Sequence, residues 1–537
     1  MNRSLLSLLA LSTAAFAAPD DILRFTNGDQ LHGHYQGIGE GNAILWSRDD
    51  LNAPMTLKSE NVRHVILRGA APQTDPSSYA YITLQNGDQI PGEVLSFDDK
   101  TTRIRSHAVG EITLPSESIA AINPNPFGGK LQYAGPFSPD GWEILKYDDK
   151  NSSGGVRVQV KRAGDVAPEP EKKDKPEEAK DEKKEPPAWQ HAGSAWYHLK
   201  GMQPLARKNC LGESSLLRFR MAWRERLNAN IALHADFMPP PEPKEGEEKE
   251  GVKAGVNPRQ PMVFFNGMPQ NQAGTFGNAL VLNIYQTYFS LTRCGYDENG
   301  QAISQRMVHT QSSVQLPDSG EATIEVRSDR KKGLLMLFIN GQYAAQWEDI
   351  DRLKNADEPK EEGAATAPPL GNGFAIQCTN SSAPMRLSDL VISEWNGIKD
   401  SAYSMSHEKR DIVLLSNGTD RYSGEITAIK DNKAFFKNAY SELEIPLTEV
   451  SEIVFAKNEK SETKEPAEGT VTARFYPSGK ISGLPLVSEK NALKLTHPTA
   501  AQLTVDLTTA ISLEFSDENP FLETMDNNQE KNLAPEK

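Results

Sequence analysis

Apolar and polar positions alternate along this chain in short runs bounded by glycine, proline, asparagine and serine, the pattern of half-buried β-strands. Four stretches repeat one plan. Ile22 to Leu67 carries Phe25-Thr26-Asn27-Gly28-Asp29 and then Gly33; Tyr81 to Ile122 carries Leu84-Gln85-Asn86-Gly87-Asp88 and then Gly92. Ile412 to Phe455 carries Leu415-Ser416-Asn417-Gly418 and Gly424, and Val471 to Phe515, the weakest copy, carries Phe475-Tyr476-Pro477-Ser478-Gly479 and Gly483. Asn-Gly or Ser-Gly supplies the left-handed backbone of a tight hairpin turn. The second glycine falls inside the next strand, where it predicts a bulge or sharp bend. A second hairpin follows. A polar step, Leu114-Pro115-Ser116 or Ile445-Pro446-Leu447-Thr448, then leads into a last strand at Ile119–Ile122 or Val450–Phe455.

Five short strands with a built-in bend resemble small barrels of the SH3-like or Sm-like kind. Sm-like barrels often bind RNA, but these repeats carry no basic-aromatic nucleotide signature, so only the fold is implied. A barrel this small buries little surface alone. Neighbours are therefore expected to pair, with two barrels before the central region and two after it.

The central region, from about Lys130 to Gly397, predicts strands at Leu216–Trp223, Asn230–Phe237, Ala279–Tyr285, Phe289–Arg293, Thr323–Ser328, Leu334–Ile339, Gln342–Trp347, Gly373–Gln377 and Leu387–Glu394. No long 3.6-residue period interrupts them, which argues for a two-sheet sandwich. Thr323-Ile324-Glu325-Val326-Arg327, the hairpin Leu335 to Tyr343 around Asn340-Gly341, and the closing Leu387 to Trp395 resemble the strands of concanavalin A-like/laminin-G jelly rolls of bacterial type. That superfamily includes carbohydrate-binding modules, adhesive modules and glycosidases. The family 16 glycosidases carry E-x-D-x-x-E on one strand, and it is absent here; Glu321 and Glu325 are the nearest pair and lack the middle aspartate.

Charged, proline-rich tracts interrupt this frame at 165–187, 239–253, 354–369 and 457–468, and 517–537 lacks a core pattern. They cannot bury enough surface to offset ordering entropy and are expected to be disordered, solvated loops. The N-terminus reads as an export leader: Arg3, an apolar run from Leu5 to Phe16, and Ala15-Phe16-Ala17 as the cleavage site. The run is too short to span a bilayer, and no later stretch approaches ~18 apolar residues. An exported location, periplasmic, cell-surface or secreted, would permit disulfides. The three cysteines, Cys210, Cys294 and Cys378, are an odd set with no CxxC pairing, and buried inert thiols are the favoured reading over one disulfide. Lys and Arg total 58 against 73 Asp and Glu, a net charge of −15, which removes any generic attraction to nucleic acid or anionic lipid.

Aromatic residues are the main candidates for binding, because the apolar face of a sugar stacks on a π surface. Trp223, Trp347 and Trp395 sit in patterned strands and read as core. Trp189, Trp196 and Tyr197 flank a polar linker, and Tyr285 and Tyr288 border a turn; these five are the candidate ligand-binding residues, with core packing as the competing explanation. Asp149 to Gly154 starts like a calcium loop but has Val160 where a bidentate Glu belongs, so calcium is weakly supported and no cofactor is expected. His32 and His34 share a strand face without a third metal ligand nearby. No HExxH or GxSxG motif occurs.

The reading is an all-β chain: leader 1–17, barrels at 18–69 and 77–125, a jelly-roll sandwich at 130–398, barrels at 409–456 and 470–516, and a disordered tail at 517–537. Its expected role is non-catalytic binding or scaffolding, with a glycan or an envelope protein as partner and self-association open. The alternative is a glycan-acting hydrolase with a carboxylate pair that no motif reveals.

Overall fold

The computed structural model describes residues 20–68, 80–146, 187–239, 272–350, 369–456 and 467–515, with short gaps inside these spans, and the strand pieces Gln159–Arg162, Phe264–Phe265 and Met268–Pro269. The expected leader, the Asp149 to Gly154 loop and nearly all of the charged tracts lie outside the described residues. Among the described residues the one α-helix is Gln272–Phe276, a few 3-10 turns join strands, and every other regular element is a strand. The fold is all-β, and no helix described is long and apolar enough to cross a membrane.

The central region builds two antiparallel sheets around one core. One has nine strands, in the order Trp189–Ala192, Ala195–His198, Met385–Glu394, Ser214–Trp223, Gly320–Asp329, Leu334–Ile339, Gln342–Trp347 and His309–Gln311, with Leu131–Gly135 sharing an edge of Met385–Glu394. The other has eight: Gln159–Arg162, Trp142–Lys146, Leu205–Arg207, Gly373–Cys378, Asn228–Ala235, Ala279–Tyr285, Phe289–Tyr296 and Ala302–Arg306. Alternation decides what each face does. Leu217, Phe219, Met221 and Trp223 point inward from the first sheet and meet Ile231, Leu233, Phe374 and Ile376 from the second. Burying such side chains contributes about 1.5–3 kcal/mol each. The nine strands read from the sequence all occur, with ends moved by a few residues. The stretch before them adds strands that the sequence reading did not name individually, among them Leu131–Gly135, Trp142–Lys146 and Leu205–Arg207. The three cysteines are buried and no disulfide joins them.

The four repeats share one pairing scheme, the first three with five strands each and the fourth with a sixth, the two-residue Ser488–Glu489. In the first, Asp21–Phe25 pairs with both Gln30–Ile38 and Val62–Ile66, and the long second strand continues to Ile44–Ser47 and on to Met55–Leu57. The second and third repeats do the same from Ala80–Leu84 and Asp411–Leu415, and the fourth from Val471–Phe475. The second glycine explains the bend. A Cβ on Gly33, Gly92, Gly424 or Gly483 would stand 2.4, 2.4, 2.2 or 2.7 Å from a backbone carbonyl of the next strand, namely that of Ser47, Arg105, Lys437 or Thr496. Only glycine lets the two strands approach that closely.

The partners of these repeats differ from the expected neighbours. The last strand of repeat one, Val62–Ile66, pairs with the last strand of repeat four, Ala510–Glu514. The last strand of repeat two, Ile119–Asn123, pairs with that of repeat three, Val450–Val454. A further bridge, Gln89 to Lys480, links repeats two and four. All four share one apolar cluster that includes Trp46, Ile90, Phe436 and Leu493. An edge strand needs a partner, and the last strands are so alike in pattern that the sequence does not say which one it finds. The repeats thus form one body of strands, with the sandwich inserted between its halves in the chain.

Candidate functional site

The outward face of the nine-stranded sheet is where the two bodies meet. Along Ser214–Trp223 the residues between the core positions, Leu216, Arg218 and Arg220, face out; on Gly320–Asp329 they are Thr323, Glu325 and Arg327. Opposite Arg218 and Arg220 the strand Met385–Glu394 bulges, and Asp389 takes a left-handed backbone (φ 51°). Bulges re-aim side chains, and this one directs Asp389 toward the repeats. Above this floor lie the hairpin turn of repeat two at Gly87–Gln89, that of repeat four at Ser478–Lys480, Glu452 of repeat three, and the segment from Asn396 to Tyr403. Between floor and roof is a cleft of about 480 Å³.

One half of the cleft is a charge lattice. Arg474 donates to Asp389 Oδ1 at 2.9 Å and to Glu514 Oε1 at 2.7 Å. Arg220 contacts Glu321 and lies 3.7 Å from Asp389 Oδ2, and Arg386 reaches Glu321 at 3.2 Å. Burial raises the Asp389 and Glu514 carboxyls, but Arg474 and its neighbours outweigh it and hold both below the usual range. Two cations stand outside this lattice. Arg218 and Lys480 line the cleft, and among the described residues neither has a hydrogen bond or an ion pair with a carboxylate.

The other half holds two glutamates whose carboxyls are shifted in opposite directions. Glu325 Oε1 accepts from Arg327 Nε at 2.7 Å and Nη2 at 2.6 Å, and Arg327 also donates to the carbonyls of Ile398 and Asp400 at 3.1 and 3.0 Å. Burial raises the Glu325 carboxyl, yet Arg327 and Arg218 bring it below its ordinary value. Glu452 Oε2 accepts from Ser401 Oγ at 3.1 Å and Ala402 N at 2.9 Å, and burial holds its carboxyl above its ordinary value. Asn123, Asn340 and Asn396 add neutral amides to the walls, beside Trp395 and Tyr403.

The aromatic residues singled out in the sequence separate. Trp189, Trp196 and Tyr197 are 1 %, 3 % and 6 % exposed and present no surface to a ligand. They belong to the hairpin Trp189–Ala192 and Ala195–His198, which continues the nine-stranded sheet along Met385–Glu394. Both tryptophans point into the core, where Trp196 lies 6.1 Å from Trp142 and Trp189 Nε1 donates to the Gln203 carbonyl at 2.8 Å. The polar residues flanking this hairpin mimic a linker, while its two indoles pack into the sandwich core. Tyr285 and Tyr288 lie side by side. Their rings stack at 4.3 Å across a turn on the eight-stranded sheet, with Tyr288 40 % exposed. In-register Asn228, Asn230, Asn283 and Gln377 continue that face, but Asn230, Asn283 and Gln377 are buried and bonded to protein groups. Only the tyrosine end is open.

Arg218, Asp389 and Lys480 were not singled out in the sequence. Alternation places Arg218 and Arg220 on one outward face, but nothing local says that repeats from both ends of the chain cover it. His34 lies 3.7 Å from Asp20, and among the described residues no three His, Cys, Asp or Glu side chains gather in a way that could hold a metal ion.

No family model and no curated protein matches the chain. Solved structures give faint likenesses. The carbohydrate-binding module CBM66 from Bacillus subtilis is 7 % identical, with 38 % of this chain and 91 % of that one covered and a TM-score of 0.22. A Bacillus subtilis protein with a galectin-like fold is 10 % identical, covering 50 % and 96 %, at 0.23. The galectin LEC-6 of Caenorhabditis elegans is 10 % identical, covering 37 % and 96 %, at 0.19. At these scores none assigns a site or an activity, so the functional reading rests on the geometry of the cleft.

Proposed function

We propose that this chain is a non-catalytic glycan-binding protein of the cell envelope, exported by its N-terminal leader, and that the cleft between the sandwich and the repeats is its binding site. The finer fold reading belongs to the same proposal: a laminin-G-like jelly roll carried by four SH3-like barrels. The observation that carries it is the cleft, a concave site lined by amides, fixed charges and the half-buried Tyr403. Sugar hydroxyls both donate and accept, so they suit walls that offer carboxylates, guanidinium groups and amides together. The lattice of ion pairs holds those groups in place before a ligand arrives, which lowers the ordering cost of binding. The test is a glycan array probed with the full chain, with positive glycans then incubated and checked for cleavage. Binding without cleavage supports this reading, and silence across the array overturns it.

A second reading has its own support in Glu325 and Glu452. Both line the cleft, and their environments push the two carboxyls in opposite directions, as a base and an acid require. Each also keeps one oxygen free of the hydrogen bonds described above. Cleavage that disappears in Glu452→Gln would establish the hydrolase in place of the binding protein.

A further inference from the structure

We infer that the cleft binds an acidic glycan, and that Lys480 and Arg218, which both line it, receive its carboxylates; this rests on the cleft being the glycan site. The cations divide by what already holds them. Arg220, Arg386 and Arg474 share Glu321, Asp389 and Glu514, and Arg327 has Glu325. Lys480 and Arg218 have no hydrogen-bonded or ion-paired carboxylate among the described residues and feel Asp88, Asp389 and Glu325 only at longer range, although both are only partly exposed. A part-buried cation whose nearest carboxylates are bound to other groups is incompletely compensated, and a ligand anion in direct contact would complete it.

The surroundings of Lys480 point the same way. It opens the strand Lys480–Pro485 of repeat four, opposite Gln89 of repeat two, so both hairpin turns converge on its ammonium group. A Cβ on Gly87 would stand 3.9 Å from Nζ, and the absence of a side chain there keeps the approach clear. Burial lowers the Lys480 ammonium below its ordinary value, and Arg220 and Arg474 lower it further, against a smaller pull upward from Asp88 and Asp389. An anion entering beside Lys480 would relieve that repulsion. Asp389 cannot do so alone, because Arg474 and Arg220 already divide its two oxygens. Asp88, the other nearby carboxylate, is buried and has Oδ2 tied to His497 Nε2 at 3.0 Å and to the Ser482 amide at 3.1 Å.

Recognition of a carboxylate by a guanidinium and an ammonium is charge-assisted and geometrically selective. The net charge of −15 makes the chain repel polyanions in general, so acidic glycans would bind through this site and not through a basic surface.

The experiment measures binding of the full chain to polygalacturonate, alginate and hyaluronan, each beside its carboxyl-reduced neutral form. The expected result is at least tenfold tighter binding to one or more of the acidic polymers, weakened at least tenfold in Lys480→Met and in Arg218→Met and retained in Lys480→Arg. Melting curves of each variant separate loss of the site from loss of the fold, and Lys480→Arg keeps the test open if Lys480→Met unfolds. Equal binding of acidic and reduced polymers, or tight acidic binding that survives both methionine variants, overturns the anion site and leaves the glycan reading intact. Binding to none of the polymers, acidic or neutral, together with a silent glycan array, overturns both.

Discussion

Trp189 and Tyr288 show how one residue type or ring chemistry takes opposite roles. Trp189 sits in the sandwich core, whereas Tyr288 stands at an open turn. Trp189→Ala is expected to cost about 3–5 kcal/mol, as truncation of a buried aromatic does, and Tyr288→Ala less than ~1 kcal/mol. Chemical denaturation of the two variants checks this directly. Titration acts at the same scale. Burial lowers His64 to about 4 and His234 to about 3. Both folded values lie below the unfolded value of about 6.5, so the unfolded chain binds more protons between these limits. Stability contributed by these neutral imidazoles is present above pH ~6.5 and is lost as pH falls, with a slope approaching ~1.4 kcal/mol per pH unit for each group. Thermal melts from pH 7 to 4.5 are expected to fall steadily, and His234→Gln is expected to flatten the curve. A melting temperature that does not change over that range would contradict the burial of both rings.

The strand elements were largely legible in sequence because their cause is local. Alternation located Ser214–Trp223 and Gly320–Asp329, and Asn340-Gly341 located the turn between Leu334–Ile339 and Gln342–Trp347. The second glycine of each repeat predicted a bend, and the near contact with a carbonyl of the next strand is its physical form. Gly92→Ala and Gly424→Ala are expected to destabilise by about 1–3 kcal/mol, the usual cost of overpacking. Gly41→Ala is a control for space, since nothing lies within 4 Å of its Cβ position, though its φ of 66° adds strain. Denaturant midpoints falling for the first two are the expected result. The hairpin at Trp189 was not legible, because its partner is Met385–Glu394, nearly two hundred residues away in the chain.

At the scale of the whole molecule, the ends of the chain close on each other. Repeat one needs repeat four and repeat two needs repeat three, and Asp88 and His497 tie repeat two to repeat four in a fully buried contact. A chain ending at residue 398 would leave the last strands of repeats one and two without partners and expose part of their shared core. Such a truncation is expected to unfold or aggregate the N-terminal repeats, read as loss of amide protection in Asp21–Phe25 and Ala80–Leu84. Retained protection there would mean that the N-terminal repeats stand alone. This closure also explains why the cleft escaped the sequence. Its floor comes from three strands of the sandwich and its roof from three repeats, so no motif spans it. The most direct test of the central claim is hydrogen–deuterium exchange of the full chain with and without a glycan that binds it. Protection is expected in Ser214–Trp223, Gly320–Asp329 and the turn preceding Lys480; protection confined to the turn from Tyr285 to Tyr288, with the cleft unchanged, would contradict it.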